Sequence, residues 1–394
     1  KGYIYICGGK INITSTTDAI QAETTLTIEK GEINLKTGGG SENSSKTSGG
    51  KDNPQWGKWG QEDSSTTEED TASAKGLKAG GDIKISNATI TTDTSDDSIH
   101  SNSNVTIESG TFNLKSGDDG IHADTSTVIN NGNIVIEKSY EGIEGSNVTI
   151  NSGTIELTAS DDGINSAGGS DSSSMGGRMG QNSFTENSDI YIKITGGKVT
   201  VDASGDGLDS NSNLIIEGGE IYVNGPTNDG NGALDYDGTA TISGGTFVAV
   251  GSSGMVQGFS DSSTQCSILY NLSSSHSAGE KITLADSSGN EILSYTSTKQ
   301  FSSVVVSSAK ITKSGAYKLT VGSESYDIEM SSTVYSNGSN GFGGGGMGGN
   351  KPDGFGRGNN GNPPDGNPPQ VPNGENSGMT PPDMPNEEIS STNT

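Results

Sequence analysis

The sequence predicts an all-β protein, a right-handed single-stranded parallel β-helix of about nine coils of about 22 residues with a small C-terminal β cap. Three observations predict it. The first is a repeat: the glycine (once alanine) ahead of each second apolar run falls at Gly9, Gly31, Ala88, Gly110, Gly132, Gly153, Gly197, Gly219 and Gly245. Five of the eight spacings are 21 or 22 residues. Fixed-period self-similarity marks a solenoid whose units bury their apolar faces on one another. The second is alternation. Val105-Thr106-Ile107 and Phe112-Asn113-Leu114 show the period of two expected of strands with one buried face, and β-branched residues dominate the inner positions. The third is economy. Only 27% of the 394 residues are hydrophobic and 61 are glycine, too little for an ordinary packed globule but enough for a narrow column of Ile, Val, Leu and Phe. A leucine-rich repeat of similar period would show L-x-x-L-x-L and a helical half; neither is present. Coils stacked at the interstrand distance of about 4.8 Å, with the usual crossover hand, give the right-handed helix.

The elements follow in order. Residues 1–264 read as the β-helix, with loops extruded at 38–73, which carries "NPQWGKWGQE", and at 168–188, which carries "GGSDSSSMGGRMGQNSF". The chain opens at Lys1 inside a strand-like run, as a mature chain or a fragment would. From Gln265 the glycine register gives way to "CSILYNL", "SSVVVSS" and "AYKLTVGSESYDIEM", so residues 265–335 read as an antiparallel β unit capping the open end. Residues 336–394, rich in Gly, Pro and Asn, lack core-forming content and read as a disordered tail. Cys7 lies in the first coil and Cys266 beyond the last, about 40 Å apart at coil spacing, so both are expected as free thiols. The net charge of −27 argues against nucleic acid and suits a protein that collects cations. No stretch approaches the roughly 18 apolar residues of a membrane span.

The third strand of each coil carries the chemistry. It reads "TDAIQ", "AKGLK", "DDSIH", "DDGIH", "YEGIE", "DDGIN", "GDGLD" and "GALDYD". With the Ile or Leu pointing inward, one outward column runs Gln21, Lys78, His100, His122, Glu144, Asn165, Asp209 and Asp235. A second, two residues before the apolar one, runs Asp18, Lys75, Asp97, Asp119, Glu141, Asp162 and Asp206. Stacked carboxylates about 5 Å apart repel by roughly 1 kcal/mol per pair in water and more where solvent is excluded, so the ladder calls for protons or cations. Oxygen-only ligands suit Ca²⁺, and the expected metal ligands are Asp118, Asp119, Glu141, Glu144, Asp161, Asp162, Asn165, Asp206, Asp209 and Asp235. The best site is expected where Glu141, Glu144, Asp161, Asp162, Asn165, Asp206 and Asp209 converge. The alternative is that these acids merely solvate a turn, as Asp-Gly often does. His100 and His122, adjacent in one column without thiolate or third ligand, are expected to be bystanders.

The ordered motifs "YEGIE", "DDGIN", "GDGLDSN" and "GALDYDG", with a Gly/Met-rich insertion after "DDGIN", resemble a bacterial family of carbohydrate-binding, calcium-binding parallel β-helix proteins related in fold to the pectate-lyase superfamily. The resemblance runs from Lys1 to about Met330. It implies calcium on the acidic ladder, affinity for cellulose-like and acidic pectin-like polysaccharide, and a secreted or cell-surface place. A monomer is expected.

Two functional classes stand beside one another. In a binder, Ca²⁺ rigidifies the column and bridges to uronate carboxylates; in a polysaccharide lyase, it would acidify a uronate α-proton. Elimination needs a base beside the calcium, and Lys138 and Lys193, on nearby strands, are expected on another face, so binding is favoured. Sugar rings pack on aromatic faces, which nominates Trp56 and Trp59 in the first insertion and Tyr140 and Tyr236 beside the ladder. A structural surface spacer or adhesin is the third reading.

Overall fold

The computed structural model describes residues 2–44, 73–166 and 190–338. Trp56 and Trp59, the insertion 168–188 and nearly all of the tail lie outside the described residues. Three parallel sheets make a parallel β-helix, each coil giving one strand to each except the last, which adds none to the third. The first sheet has nine strands, from Ile4–Ile6 to Ala240–Ile242, and the third has eight, from Ile20–Ala22 to Leu234–Tyr236. The second runs parallel from Lys10–Ser15 to Thr246–Gly251 and then continues, beyond the coils, through Phe301–Ser308, Ser267–His276 and Val334–Ser336.

Register explains how so few apolar residues suffice. One inward row of the first sheet is isoleucine in every coil, from Ile6 through Ile107 and Ile150 to Ile242. The third sheet stacks Ile20, Leu77, Ile99, Ile121, Ile143, Ile164, Leu208 and Leu234 in the same way. Each buried Ile or Leu stabilises by about 1.5–3 kcal/mol relative to exposure, and each is shared by the coil above and below.

The repeating glycine is a backbone requirement. The bend from the first sheet into the second places it in the left-handed region, as at Gly153 with φ +104°, where an added Cβ would also lie 2.6 Å from the Gly132 carbonyl oxygen. In the coil where alanine stands at position 88, the left-handed residue is the preceding Asn87, at φ +50°. Gly153→Ala should therefore lower stability by about 1–3 kcal/mol in a denaturant melt. An unchanged midpoint would show that the bend tolerates a side chain.

The first insertion does not leave the column at once. Its start forms a 3-10 turn, Ser41–Asn43, that crosses successive coils of the second sheet. Ser41 N–H donates to Asp93, the Ser44 hydroxyl to the Gly117 carbonyl, and Lys138 Nζ to Glu42 at 2.8 Å. This segment straps three coils together.

Past the last coil, Phe301–Ser308 pairs antiparallel with Thr246–Gly251 and so covers the final edge of the second sheet. A separate antiparallel sheet orders Glu291–Thr296, Lys281–Asp286, Ala316–Val321 and Glu324–Glu329, packed around Ile282, Leu284, Leu319 and Phe301. Cys7 is exposed, Cys266 is buried, and both are free thiols.

Candidate metal centre

The third sheet holds the two outward columns in register. Gln21, Lys78, His100 and His122 pair coil to coil, as do Glu144, Asn165, Asp209 and Asp235. Its strands are mostly three residues long, so each outward side chain is flanked by turn residues of its own coil. Hence His100, His122, Asp97, Asp119, Glu141, Glu144 and Asn165 are all buried, whereas acids that merely solvate a turn would be exposed.

The second column does backbone work. Asp18 Oδ1 accepts from Lys75 N–H, Asp97 Oδ1 from Asp119 N–H, Asp162 Oδ1 from Asp206 N–H and Asp206 Oδ1 from Gly232 N–H, at 2.5–2.9 Å. One carboxylate oxygen of each thus clamps the next coil, leaving the other for a different partner.

What that partner is divides the ladder in two. In the N-terminal half the chain supplies the cations. Lys75 Nζ lies 2.8 Å from Asp96 and 2.5 Å from Asp97, and Lys78 lies 3.4 Å from Asp18. His100 Nδ1 faces Asp97 at 2.7 Å; His122 faces Asp119 and Glu144 with Nδ1, at 3.1 and 2.5 Å, and Asp124 with Nε2, at 3.1 Å. The two rings stack at 4.6 Å. Burial opposes charge on His122, but its bonds to Asp119 and Glu144 prevail and push it up to about 12. Burial likewise opposes charge on Asp97, yet Lys75 and His100 hold its carboxyl well below the ordinary range. His122 is therefore a charge partner of the ladder, and His100, expected like it as a bystander, bonds Asp97.

The C-terminal half holds acids and Asn165. Ligand oxygens of Asp162, Asp206 and Asp209 lie within 4.8 Å of one another, and the three residues are half-buried, open to an ion from solution. Among the described residues no Lys, Arg or His forms an ion pair with Glu141, Asp161, Asp162, Asp206, Asp209 or Asp235. Burial, then mutual repulsion, pushes Glu141, Asp162 and Asp209 well above the carboxylate range, and burial lifts Asp206 to about 7. Asp235 is raised by burial and by Asp237. Asn165 donates its amide to Glu141 at 2.9 Å, while its own Oδ1 is buried without a partner. At Gly205 an added Cβ would lie 2.3 Å from Asp162 Oδ1 and 2.5 Å from Asp161 Oδ1, so glycine is what lets these oxygens approach. The residues present fit an oxygen-liganded cation.

Of the seven residues expected to converge, the structure gathers Asp162, Asp206 and Asp209 in one cluster and pairs Glu141 with Asn165. Glu144 turns instead toward His122, and Asp118 clusters with Asp96 and Asp97. Asp96, Asp97 and Asp124 were not singled out as ligands from sequence. Asp97 stood in the predicted column one coil from Lys75, which was the available signal. Tyr140 bonds Asp161 beside the cluster, and burial raises its hydroxyl above the ordinary value. Tyr236 packs against the core and donates its hydroxyl to the Gly258 carbonyl at 2.6 Å. Lys138 and Lys193 pair with Glu42 and Glu217 on the second and first sheets.

Two segments, residues 1–120 and 119–347, match the model of a family described as carbohydrate-binding domain-containing protein. No curated protein and no solved structure matches the chain. Matched over most of its length, the chain belongs to this family of carbohydrate-binding domain-containing proteins.

Proposed function

We propose that this protein is an extracellular binder of plant cell-wall polysaccharide, of cellulose-like or acidic pectin-like chains, whose β-helix is stabilised by Ca²⁺ on the acidic ladder. The observation that carries the metal assignment is the split ladder: acids of one half form ion pairs with Lys75, Lys78 and His122, while Asp162, Asp206 and Asp209 of the other cluster with no Lys, Arg or His paired to them among the described residues. Asp162, Asp206 and Asp209 would hold the ion, and all-oxygen ligation suits calcium rather than a softer metal. Family membership supports carbohydrate as the partner. Calcium supplies charge neutralisation and, toward an acidic chain, a bridge between protein and uronate carboxylates.

Binding is favoured over lyase chemistry because elimination needs a base beside the ion. Lys138 and Lys193, on nearby strands, are committed to glutamates on other faces. Incubation with polygalacturonate and Ca²⁺ at mildly alkaline pH should give retention of the protein on the polymer without unsaturated product. Retention should fall with a calcium chelator, whereas retention on cellulose should survive it. Steady calcium-dependent release of unsaturated ends would make the protein a lyase. Retention on neither polymer would overturn the reading.

A further inference from the structure

Away from the ladder, the outer face of the second sheet meets the C-terminal antiparallel sheet in a cleft of about 320 Å³. Lys198, Thr200 and Tyr222 line one wall, and Lys281, Tyr295 and Thr296 the other. This volume is at the small end of the range for ligand pockets, about 300–1,000 Å³, and suits a short saccharide or a chain end.

The walls are built for a ring that is apolar on one face and polar at its rim. Tyr222 and Tyr295 stack at 5.3 Å with their planes 12° apart, which fixes both rings. Tyr295 is anchored by donating its hydroxyl to Asn224 Oδ1 at 2.8 Å. Tyr222 is half-buried, and among the described residues its hydroxyl has no hydrogen-bond partner. Lys198 is exposed and, among the described residues, its ammonium has no ion-pair partner. Lys198 stands in register with Glu220 without forming an ion pair to it, and Lys281 reaches Glu291 only at 3.5 Å, so both ammonium groups can face a ligand in the cleft. Lysine reads a carboxylate as a point charge, an aromatic face packs against ring CH groups, and the hydroxyls of Thr200 and Thr296 suit sugar hydroxyls.

We infer that this cleft binds an acidic saccharide, with Lys198 facing the carboxylate and Tyr222 packing against the ring. The inference rests on the carbohydrate-binding reading above and places a sugar subsite apart from the metal ladder. Calorimetry on the calcium-loaded full chain with a short oligogalacturonate tests it, with a neutral cello-oligosaccharide of equal length in parallel. Lys198→Met should weaken oligogalacturonate binding by about tenfold or more, the loss of one charge-assisted contact. Tyr222→Ala should weaken it at least as much. Thermal melts confirm that each variant is folded. Wild-type affinity in both cleft variants would overturn the cleft and leave the carbohydrate-binding reading intact. Equal binding of the neutral oligosaccharide, unaffected by Lys198→Met, would overturn the acidic specificity. A wild-type protein retained on polymer but blind to the short ligand would overturn the subsite, and one that binds no saccharide would overturn both.

Discussion

Lys75→Met is expected to lower stability by about 3–5 kcal/mol near neutral pH, the usual cost of removing one partner from a buried ion pair. Lys75 is buried between Asp96 and Asp97, and Asp97 is 2% exposed. Burial alone would favour loss of the lysine proton, but Asp97 and Asp96 override it and hold the ammonium above the ordinary lysine value. Methionine has nearly the same length and flexibility, so the variant removes the charge and leaves the packing. The sign with pH follows from Asp97. Its carboxyl is held below the unfolded value, so its contribution is present above that value, near 3.9, and is lost only as pH falls through the folded one. Without Lys75 this depression is relieved, so the deficit should be largest near neutrality and shrink on acidification. A melt equal to wild type at neutral pH would show that the ladder does not need its built-in cation.

The C-terminal half should behave with the opposite sign. Calcium at a hundred times its Kd should raise stability by about 2.7 kcal/mol, and a chelator should remove that gain. Burial and crowding raise Glu141, Asp162 and Asp209, and burial raises Asp206 to about 7. A group raised in the folded state stabilises fully below its unfolded value, about 4, and loses that contribution as pH rises through the folded value. Chelated protein should therefore melt lower on the alkaline side of neutrality than in mild acid, and calcium should flatten the profile by binding the ionised forms. His122, raised to about 12, adds a further loss from about 6.5 upward, which calcium should not repair. Asp162→Asn with Asp206→Asn keeps the Oδ1 acceptors that clamp Asp206 N–H and Gly232 N–H but removes two charges. The double variant should melt higher than wild type in chelator and show no calcium response. Equal melts with and without chelator would return these acids to the role of turn residues.

The fold was legible because in-register stacking turns a sequence period into geometry. Spacings of 21 or 22 residues bring Ile107 onto Ile129 and Ile143 onto Ile164 without knowledge of any turn. The same arithmetic placed both outward columns. What a period cannot give is which carboxylate a long side chain reaches. His122 lies beside Glu144 of the next coil and beside Asp124 of its own, and only side-chain geometry joins all three. Burial of the ladder was not legible either, since alternation predicts an outward direction but not the turn residues that flank it. The Tyr222–Tyr295 pair joins a coil to the C-terminal sheet, where no repeat constrains the pairing. Trp56 and Trp59, nominated from sequence for sugar contact, lie outside the described residues.

The proposed split of the ladder, into a half paired with Lys75, Lys78 and His122 and a half that takes up calcium, is tested most directly by anomalous diffraction from crystals grown with calcium. A difference peak is expected among Asp162, Asp206 and Asp209, with none between Lys75 and His122. A calcium-free acid cluster at millimolar calcium, or a peak seated instead between His100 and His122, would contradict it.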